Sequence, residues 1–425
     1  MTDQGFGLKE HKHNLIINTI HEGFWGFGIA FHSTYAVVPL FLKLLDAPPI
    51  IIGSAAGVFT ACAALPQITM AFIGQRIQNV KKGIVLAHSV MIPPMLLAGF
   101  IFGILAPTGP NAWAIYFGCF VLFSLGVGVV FPIWADFLEL VHLPERRGEF
   151  FGISFAITNA AGFLGGFAVK KLLKSVPFPS NFGYGFLIYA VCIMAAVTLF
   201  LGYRLKQKKS KKPNRDFRLF RNQLQFVLKT DGNYRRYLFS RILLAANYPA
   251  ISLYAVYAHE KLQFDVSEAG IFTAITVLLS GLSSFTMGKI GDKWGHKHAL
   301  VLVFIGYLAA LVTALNAKTM MNTYLIFVFL GIGQGGFLTT SMSLIFEFAG
   351  DEGDKKIYFA LTDSLTAPFV VIFIILSGIF IPSHGIATVL VGLGFFILLG
   401  TLSLAFFTKE PKTERTEFAP SEMVM

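Results

Sequence analysis

Long apolar runs separated by short polar turns extend along nearly the whole chain. An α-helix needs about 20 predominantly apolar residues to cross the hydrocarbon layer of a membrane, and the sequence divides into twelve such runs. Only helices and closed barrels satisfy their backbone hydrogen bonds in lipid, and these runs are too long for barrel strands. The pattern predicts an all-α integral membrane protein with twelve transmembrane helices, spans 1 to 12, at 14–40, 50–73, 83–106, 112–140, 150–170, 184–203, 236–258, 268–287, 299–316, 322–348, 357–381 and 385–407.

The composition agrees with a membrane protein. Of the 425 residues, 55% are hydrophobic and 13% are charged, whereas soluble proteins carry about 25% charged residues. Cys62, Cys119 and Cys192 all fall within apolar runs, so the sequence predicts neither a disulfide framework nor a thiolate metal site. No phosphate-binding loop, dinucleotide fingerprint or nucleophile–base arrangement is present. We therefore expect no cofactor, no metal and no enzymatic activity.

The net charge of +11 is distributed unevenly across the predicted membrane. Twelve spans place both termini on one side, and most of the lysines and arginines fall on that side. The positive-inside rule then predicts a multi-pass protein of the cell (inner) membrane with cytoplasmic termini. Lys170, Lys171 and Lys174 are exceptions, because they cluster on the opposite side. The basic segment Lys206–Arg236 favours a cytoplasmic linker near anionic membrane lipid over a nucleic-acid partner.

The two halves of the chain resemble each other. AAGVFTA at 55–61 matches EAGIFTA at 268–274, and PERRGEFFG at 144–152 corresponds to GDKKIYFAL at 353–361. Such a repeat predicts two pseudo-symmetric six-helix bundles with a site between them. The predicted domains are an N-terminal bundle at 1–203, a basic linker at 204–235, a C-terminal bundle at 236–407 and a cytoplasmic tail at 408–425.

The loop between spans 8 and 9, GKIGDKWGHKH at 288–298, has three glycines and six ionisable residues in eleven positions. Its spacing, G-x-x-x-D-K-x-G-H-K, resembles the loop signature G-x-x-x-D-[RK]-x-G-[RK]-[RK] of the major facilitator superfamily, with His296 as the one departure. The equivalent loop of the first half, GQRIQNVKK at 74–82, is a degenerate copy. With the repeats, the resemblance covers nearly the whole chain. It implies the fold of that superfamily and a secondary transporter that works by alternating access.

The resemblance also implies a network of charges that latches the cytoplasmic gate. Acidic residues at the cytoplasmic ends of spans 4 and 10 would pair with the motif loop. We assign Glu347 to Lys293 or Lys297, and Asp292 to Lys355 or Lys356. The predicted gating residues are Gly288, Asp292, Lys293, Gly295, Lys297, Asp136, Glu139, Glu347, Lys355 and Lys356.

The polar residues of span 1 share one helical face, because they recur at intervals of three and four. We expect this face, which includes His21, Trp25, His32 and Tyr35, to line a central cavity; a polar seam against another helix is the alternative. Glu22 lies at its edge. Because a carboxylate in a low dielectric exchanges a proton near neutral pH, Glu22 is the first proton-coupling candidate. A structural glutamate hydrogen-bonded between two helices is the alternative.

Two further charged residues lie within predicted spans of the second half. Arg241 in span 7 can bind an anionic substrate or hold a carboxylate, unless it extends to the cytoplasmic surface. Asp363 in span 11 is the second proton-site candidate or the partner of Arg241. The remaining cavity candidates are polar residues in spans 5, 7 and 10, namely Asn159, Asn247, Tyr248 and Gln334.

These residues predict a transporter that moves a small organic solute and uses protons as its coupling ion. AGFLGG at 161–166 is similar to the span 5 signature of antiporters, except that Gly162 replaces the proline, which slightly favours export. An uncoupled facilitator or a lipid flippase of the same fold is an alternative. A transport-inactive membrane sensor or assembly factor is another, and it would tolerate loss of Glu22, Asp363 and Arg241.

Overall fold

A computed structural model of the chain describes residues 6–67, 69–70, 77, 79–206, 217–350 and 355–411. The described residues form helices joined by turns, with no strand among them. The α-helices are α1 (Leu8–Ile29), α2 (Val37–Leu44), α3 (Pro49–Ala64), α4 (Val80–Ser89), α5 (Ile92–Phe100), α6 (Ala112–Val141), α7 (Arg147–Ser175), α8 (Ser180–Leu199), α9 (Phe217–Thr230), α10 (Gly232–Leu244), α11 (Asn247–Leu262), α12 (Glu268–Trp294), α13 (His296–Leu315), α14 (Met320–Ala349) and α15 (Lys355–Phe407).

Nine helical segments of the described chain are long and apolar enough to cross a membrane. They account for most of the twelve predicted spans. One of them, Ile357–Phe407, contains both span 11 and span 12. α15 has 53 residues, which is about 80 Å at 1.5 Å per residue, whereas the hydrocarbon layer is about 30 Å thick. Gly385 interrupts it with φ of 78° and ψ of 164°, a conformation that only glycine adopts without strain. The interruption coincides with the predicted boundary between spans 11 and 12.

Several predicted spans are discontinuous helices. Span 1 consists of α1, a short 3₁₀ turn at Ala30–His32, and α2. The Ser33 hydroxyl accepts a hydrogen bond from the Val37 backbone at 3.1 Å and so satisfies a free amide at the start of α2. Span 7 is divided into α10 and α11 by a break after Leu244. Side-chain groups can therefore approach free backbone groups inside these spans.

The predicted linker at 204–235 contains a helix that the sequence analysis did not anticipate. α9, with the sequence FRLFRNQLQFVLKT, has 14 residues. Its apolar residues recur at helical intervals, 217, 220, 224 and 227, and the intervening positions are largely basic or amide residues. This periodicity was available in the sequence, but the high charge of the surrounding segment obscured it.

The described contacts divide the chain into two compact units. Unit 1 comprises Met1–Asn214 and Ser252–Leu278, and unit 2 comprises Arg215–Ile251 and Leu279–Met425. Ser252–Leu278 groups with the first six spans and not with the second six. The boundaries of two six-helix domains therefore stay a prediction. Contacts within unit 1 explain this grouping. The Ser252 hydroxyl accepts a hydrogen bond from the Ala56 backbone at 2.9 Å, and the Ser33 and Thr273 hydroxyls lie 2.8 Å apart.

The interior of unit 1 is built from aromatic rings. The ring centroids of Phe41 and Tyr116 are 4.8 Å apart, and those of Tyr116 and Phe186 are 4.9 Å apart. All three side chains are fully buried. Burial of such large rings supplies much of the stabilisation of a protein core. This cluster fixes the positions of α2, α6 and α8, and α1 packs against α7 and α8.

Candidate functional site

Glu22 of α1 lies within unit 1 beside a hydroxyl and an imidazole. The Thr158 hydroxyl of α7 lies 2.7 Å from Oε2 of Glu22. The same hydroxyl is 2.8 Å from the Ser154 backbone carbonyl. The other carboxylate oxygen, Oε1, is 3.3 Å from Nδ1 of His21. The Glu22 side chain is 13% exposed, so the carboxylate is largely but not completely enclosed.

Behind Glu22 lies a group of aromatic and imidazole rings. His21 packs on Phe200 at a centroid distance of 4.8 Å, and His88 of α4 packs on the same ring at 4.6 Å. Trp25 lies edge-on to His88 at 6.4 Å. Nδ1 of His88 is 3.0 Å from the Ile84 carbonyl; a carbonyl only accepts, so Nδ1 is the donor. His88 was not among the residues predicted from the sequence, although a histidine inside an apolar run is a recognisable signal.

The polar face of α1 is packed inside unit 1. Asn14 donates to the carbonyls of Val141 and Arg204 at 2.8 and 2.7 Å. Asn18 donates to Ser154 and accepts a hydrogen bond from Tyr203. These bonds tie the start of α1 to the end of α6 and to the residues after α8. The arrangement favours the alternative of a polar seam between helices over a cavity wall for this part of the face.

His32 and Tyr35, two of the predicted cavity residues, are both buried in unit 1, and His32 belongs to the aromatic interior. His32 is 3% exposed and Tyr35 is 8% exposed. The imidazole contacts five rings, among them Phe123 at 5.0 Å and Tyr189 at 5.7 Å. Asn159 is half-buried, and its amide donates to the Phe155 carbonyl of its own helix at 2.7 Å. Among the described hydrogen bonds, none joins these side chains to the carboxylate of Glu22.

Unit 2 contains a second charged cluster within the predicted spans. Arg241 of α10 is 7% exposed, and its guanidinium carbon lies 4.5 Å from the centroid of the Phe337 ring. The guanidinium donates to Tyr248 and interacts electrostatically with Tyr237 and with Asp363 of α15. Arg241 is therefore enclosed by aromatic groups, which disfavours the alternative of a side chain that extends to the membrane surface.

The other predicted residues of unit 2 differ in their surroundings. The side chain of Asp363 is exposed, with Arg241 as an electrostatic partner. Asn247 is buried at the start of α11, and its Oδ1 has no hydrogen-bond partner among the described residues. Gln334 is half-buried. Of the glycines around it, Gly335 packs against the backbone of Ser280, so a side chain there would collide.

The motif loop between α12 and α13 is mostly helical. α12 continues through Trp294, Gly295 turns the chain with φ of 99°, and α13 begins at His296. Nε2 of His296 lies 3.6 Å from Asp292 and 3.9 Å from Glu347. Thus the one residue that departs from the family signature lies between the two acids.

The contacts of Lys293 and Lys297 in the motif loop differ from the predicted pairings with Glu347. The ammonium of Lys297 donates to the carbonyls of Ala405 and Thr408 at 3.1 and 3.2 Å, while Glu347 lies against His296. Lys293 is exposed, with its ammonium 5.6 Å from the Trp294 ring. Gly288 and Asp136 are half-buried and Glu139 is exposed. The side chains of Lys355 and Lys356 lie outside the described residues, so the gating roles stay predictions.

Two of the lysines on the side predicted to be non-cytoplasmic have acidic partners within unit 1. Lys170 at the end of α7 lies 2.7 Å from Glu268 at the start of α12, and Lys43 lies 2.6 Å from Glu260. In the turn before α12, hydrogen bonds from Ser267 lower the pKa of Asp265, and Lys174 and Lys170 lower it further. Acids therefore neutralise the charges of Lys170 and Lys43 locally.

Comparison with known proteins confirms the resemblance at the level of fold. The family model of the Major Facilitator Superfamily matches residues 236–423. A search of curated proteins finds no match. Among solved structures, a point mutant of the nucleoside transporter NupG is 13% identical, covers 94% of this chain and all of its own, and has a TM-score of 0.69.

Two other transporters superpose comparably. A bacterial homolog of the human lysosomal transporter Spinster, in an inward-facing and unoccupied conformation, is 14% identical, covers 98% of this chain and 100% of its own, and has a TM-score of 0.67. A POT family transporter in complex with 5-aminolevulinic acid is 14% identical, covers 93% and 96%, and has a TM-score of 0.67. The chain thus has the major facilitator fold, that of a multi-pass membrane protein. The family model and these structures support a secondary transporter.

Proposed function

We propose that the protein is a proton-coupled secondary transporter that moves a small organic solute across the cell membrane by alternating access. The observation that carries this proposal is the carboxylate of Glu22, held inside a membrane span by the hydroxyl of Thr158 and the imidazole of His21. An ionisable group within a membrane span is costly and is kept where it has a function.

The surroundings of Glu22 suit both of its protonation states. When the carboxylate is ionised, the Thr158 hydroxyl donates to Oε2. When it is protonated, the new O–H donates to Thr158, whose own proton turns to the Ser154 carbonyl 2.8 Å away. Each state keeps its hydrogen bonds, so protonation leaves no buried donor or acceptor unsatisfied. A structural glutamate would need only one state, and this double arrangement supports a proton-exchanging role.

The cluster in unit 2 supports a role in substrate recognition. The positive charge of Arg241 is compensated electrostatically by Asp363. If Asp363 takes up a proton, the buried guanidinium loses its counter-charge and attracts an anionic group of a solute. Asp363 thereby links the second proton-site candidate to solute binding.

The comparisons support a small organic solute without selecting one. The similar structures include a nucleoside transporter and a transporter in complex with 5-aminolevulinic acid, and these two solutes are chemically different. We propose cytoplasmic termini from the distribution of basic residues, and export from the similarity of 161–166 to antiporters. Gly165 and Gly166 in that segment also pack against helix backbones within unit 1, a second reason for glycine there.

The test combines a ligand screen with a flux assay. Purified protein is screened by thermal shift against metabolites and drugs at two pH values, because a ligand that binds the folded state raises its stability. A hit is then tested in proteoliposomes for movement driven by an imposed pH gradient. Driven flux in the wild type and in Glu145→Gln, an exposed carboxylate of unit 1, with loss in Glu22→Gln, is expected. Flux that ignores the gradient would favour an uncoupled facilitator.

A further inference from the structure

The residues that follow α15 hold the start of α13. Glu410 is 8% exposed. Its Oε2 accepts a hydrogen bond from the Lys297 backbone amide at 3.1 Å, and it lies 3.4 Å from Nδ1 of His298. The first amides of a helix have no partner within the helix, and a carboxylate at this end interacts favourably with the helix dipole. Glu410 therefore caps α13 from a distant part of the chain.

Lys297 makes the reciprocal contact. Its ammonium donates to the carbonyls of Ala405 and Thr408 at 3.1 and 3.2 Å, at the end of α15. The last carbonyls of a helix also lack partners within the helix, and a cation stabilises that end. One residue pair thus satisfies the start of one helix and the end of another.

Two glycines of the motif loop leave room for this arrangement. A Cβ at Gly295 would overlap the carboxylate of Glu410, and a Cβ at Gly291 would overlap the ring of His296. Gly295 also has a positive φ of 99°, which disfavours any side chain at this position. The glycine of the signature is thus needed for two reasons, its backbone conformation and the approach of a carboxylate from residue 410.

We propose that Glu410 and Lys297 form a clasp between the end of α15 and the motif loop, and that this clasp positions His296 between Asp292 and Glu347. His296 immediately precedes Lys297, so the cap that fixes the Lys297 amide also fixes the direction in which the imidazole leaves the helix. Glu410 and Lys297 are positioning residues; they act through His296. The proposal rests on the gating role proposed for the motif loop, but the contact itself can be tested without transport.

Hydrogen exchange of the full-length protein in detergent tests the clasp directly. We expect Glu410→Ala and Lys297→Met each to speed exchange of the amides at the start of α13 by about fivefold, the effect of losing one helix cap. Amides of α7 in unit 1 should not change. Lys289→Met, which alters an exposed lysine of the same loop, serves as the matched control. Exchange at 296–299 that is unchanged in both variants would overturn the clasp.

Two further measurements separate a positioning role from simple packing. Glu410→Gln keeps the shape and an acceptor oxygen but loses the charge, so its exchange rate should lie between those of wild type and Glu410→Ala. A rate equal to that of wild type would contradict the role of the charge. The Glu410→Ala and Lys297→Met double variant should be less affected than the two single effects combined, because both break the same clasp; full additivity contradicts it.

A flux assay on the same variants then distinguishes the two proposals. Faster exchange together with reduced turnover supports both the clasp and the gating role of the motif loop. Faster exchange with unaltered turnover supports the clasp but contradicts the gating role proposed for the motif loop.

Discussion

The two proton-coupling candidates, Glu22 and Asp363, have different kinds of partner. Glu22 in unit 1 is hydrogen-bonded by a hydroxyl and faces an imidazole, whereas Asp363 in unit 2 is exposed and interacts with the buried charge of Arg241. The Thr158 hydroxyl can keep a hydrogen bond with Glu22 in either protonation state of the carboxylate. Protonation of Asp363 leaves a buried guanidinium uncompensated, which is costly. On this difference we propose that proton exchange takes place mainly at Glu22, and that protonation of Asp363 is linked to the state of Arg241.

The largest expected effect comes from removing the ionisable group of unit 1. Glu22→Gln retains the hydrogen bonds but cannot exchange a proton, so we expect loss of gradient-driven flux with solute exchange preserved. Counterflow and gradient-driven uptake in proteoliposomes measure the two activities separately, with Glu145→Gln as the control. If Asp363→Asn produced this separation and Glu22→Gln did not, the assignment of the two carboxylates would be reversed.

Breaking the charge pair of unit 2 should affect stability as well as transport. Asp363→Asn removes a counter-charge of the buried Arg241; because Asp363 is exposed and solvent screens the interaction, we expect a loss of at most about 1 kcal/mol in stability. Adding Arg241→Gln should restore part of that loss, because the unpaired charge is then removed. Thermal unfolding of the two single variants and the double variant measures the coupling. Strictly additive losses would show that the two residues do not interact.

Substitutions of Thr158 test the role of the hydroxyl that is hydrogen-bonded to Glu22. Thr158→Val removes the hydroxyl that serves both states of Glu22, so we expect a loss of about 1 kcal/mol in stability and a displaced pH profile of transport. Thr158→Ser keeps the hydroxyl and should retain the profile. Equal profiles for the valine and serine variants would mean that the hydroxyl has no part in proton exchange.

A smaller effect on stability is expected in the motif loop. Asp292 is exposed and lies 3.6 Å from His296, and such surface pairs contribute a few tenths to about 1 kcal/mol. Asp292→Asn should therefore express near normally but transport more slowly, because the predicted gate loses one contact. Turnover equal to that of the wild type would count against the gating role.

The smallest effect is expected at the ion pairs on the side predicted to be non-cytoplasmic. The pair Lys170–Glu268 is partly exposed, so each neutralising variant should cost at most about 1 kcal/mol, less at high salt. Exchanging the two residues should restore the stability lost on replacing either one. Lys171→Met, at an exposed neighbouring position, is the control, and an equal loss there would show a non-specific effect of charge.

The sequence predicted the broad features of the fold because they depend on local properties. Twenty-residue apolar runs predict membrane helices without knowledge of packing, and the boundary between spans 11 and 12 was marked by a proline and a glycine. The division of the contacts into units was not predictable, since Ser252–Leu278 joins unit 1 through hydroxyl and backbone contacts far apart in sequence. α9 was missed because charge dominated the segment.

The sequence indicated which residues are candidates for function, but it did not indicate which residues they contact. Glu22, Arg241 and Asp363 stand out because ionisable groups are rare in apolar runs. Helical periodicity placed His32 and Tyr35 on the same face as His21, but it cannot distinguish a cavity wall from the buried interior in which they lie. The cap of Lys297 by Glu410 joins residues 113 positions apart, and no local pattern indicates such a contact.

The most direct test of proton coupling at Glu22 is proton movement coupled to solute flux in proteoliposomes, read with an internal pH dye and the solute found in the thermal-shift screen. If Glu22 is the coupling site, the solute gradient drives proton movement in the wild type and in Glu145→Gln, and Glu22→Gln moves solute without protons. Undiminished proton movement in Glu22→Gln would contradict it.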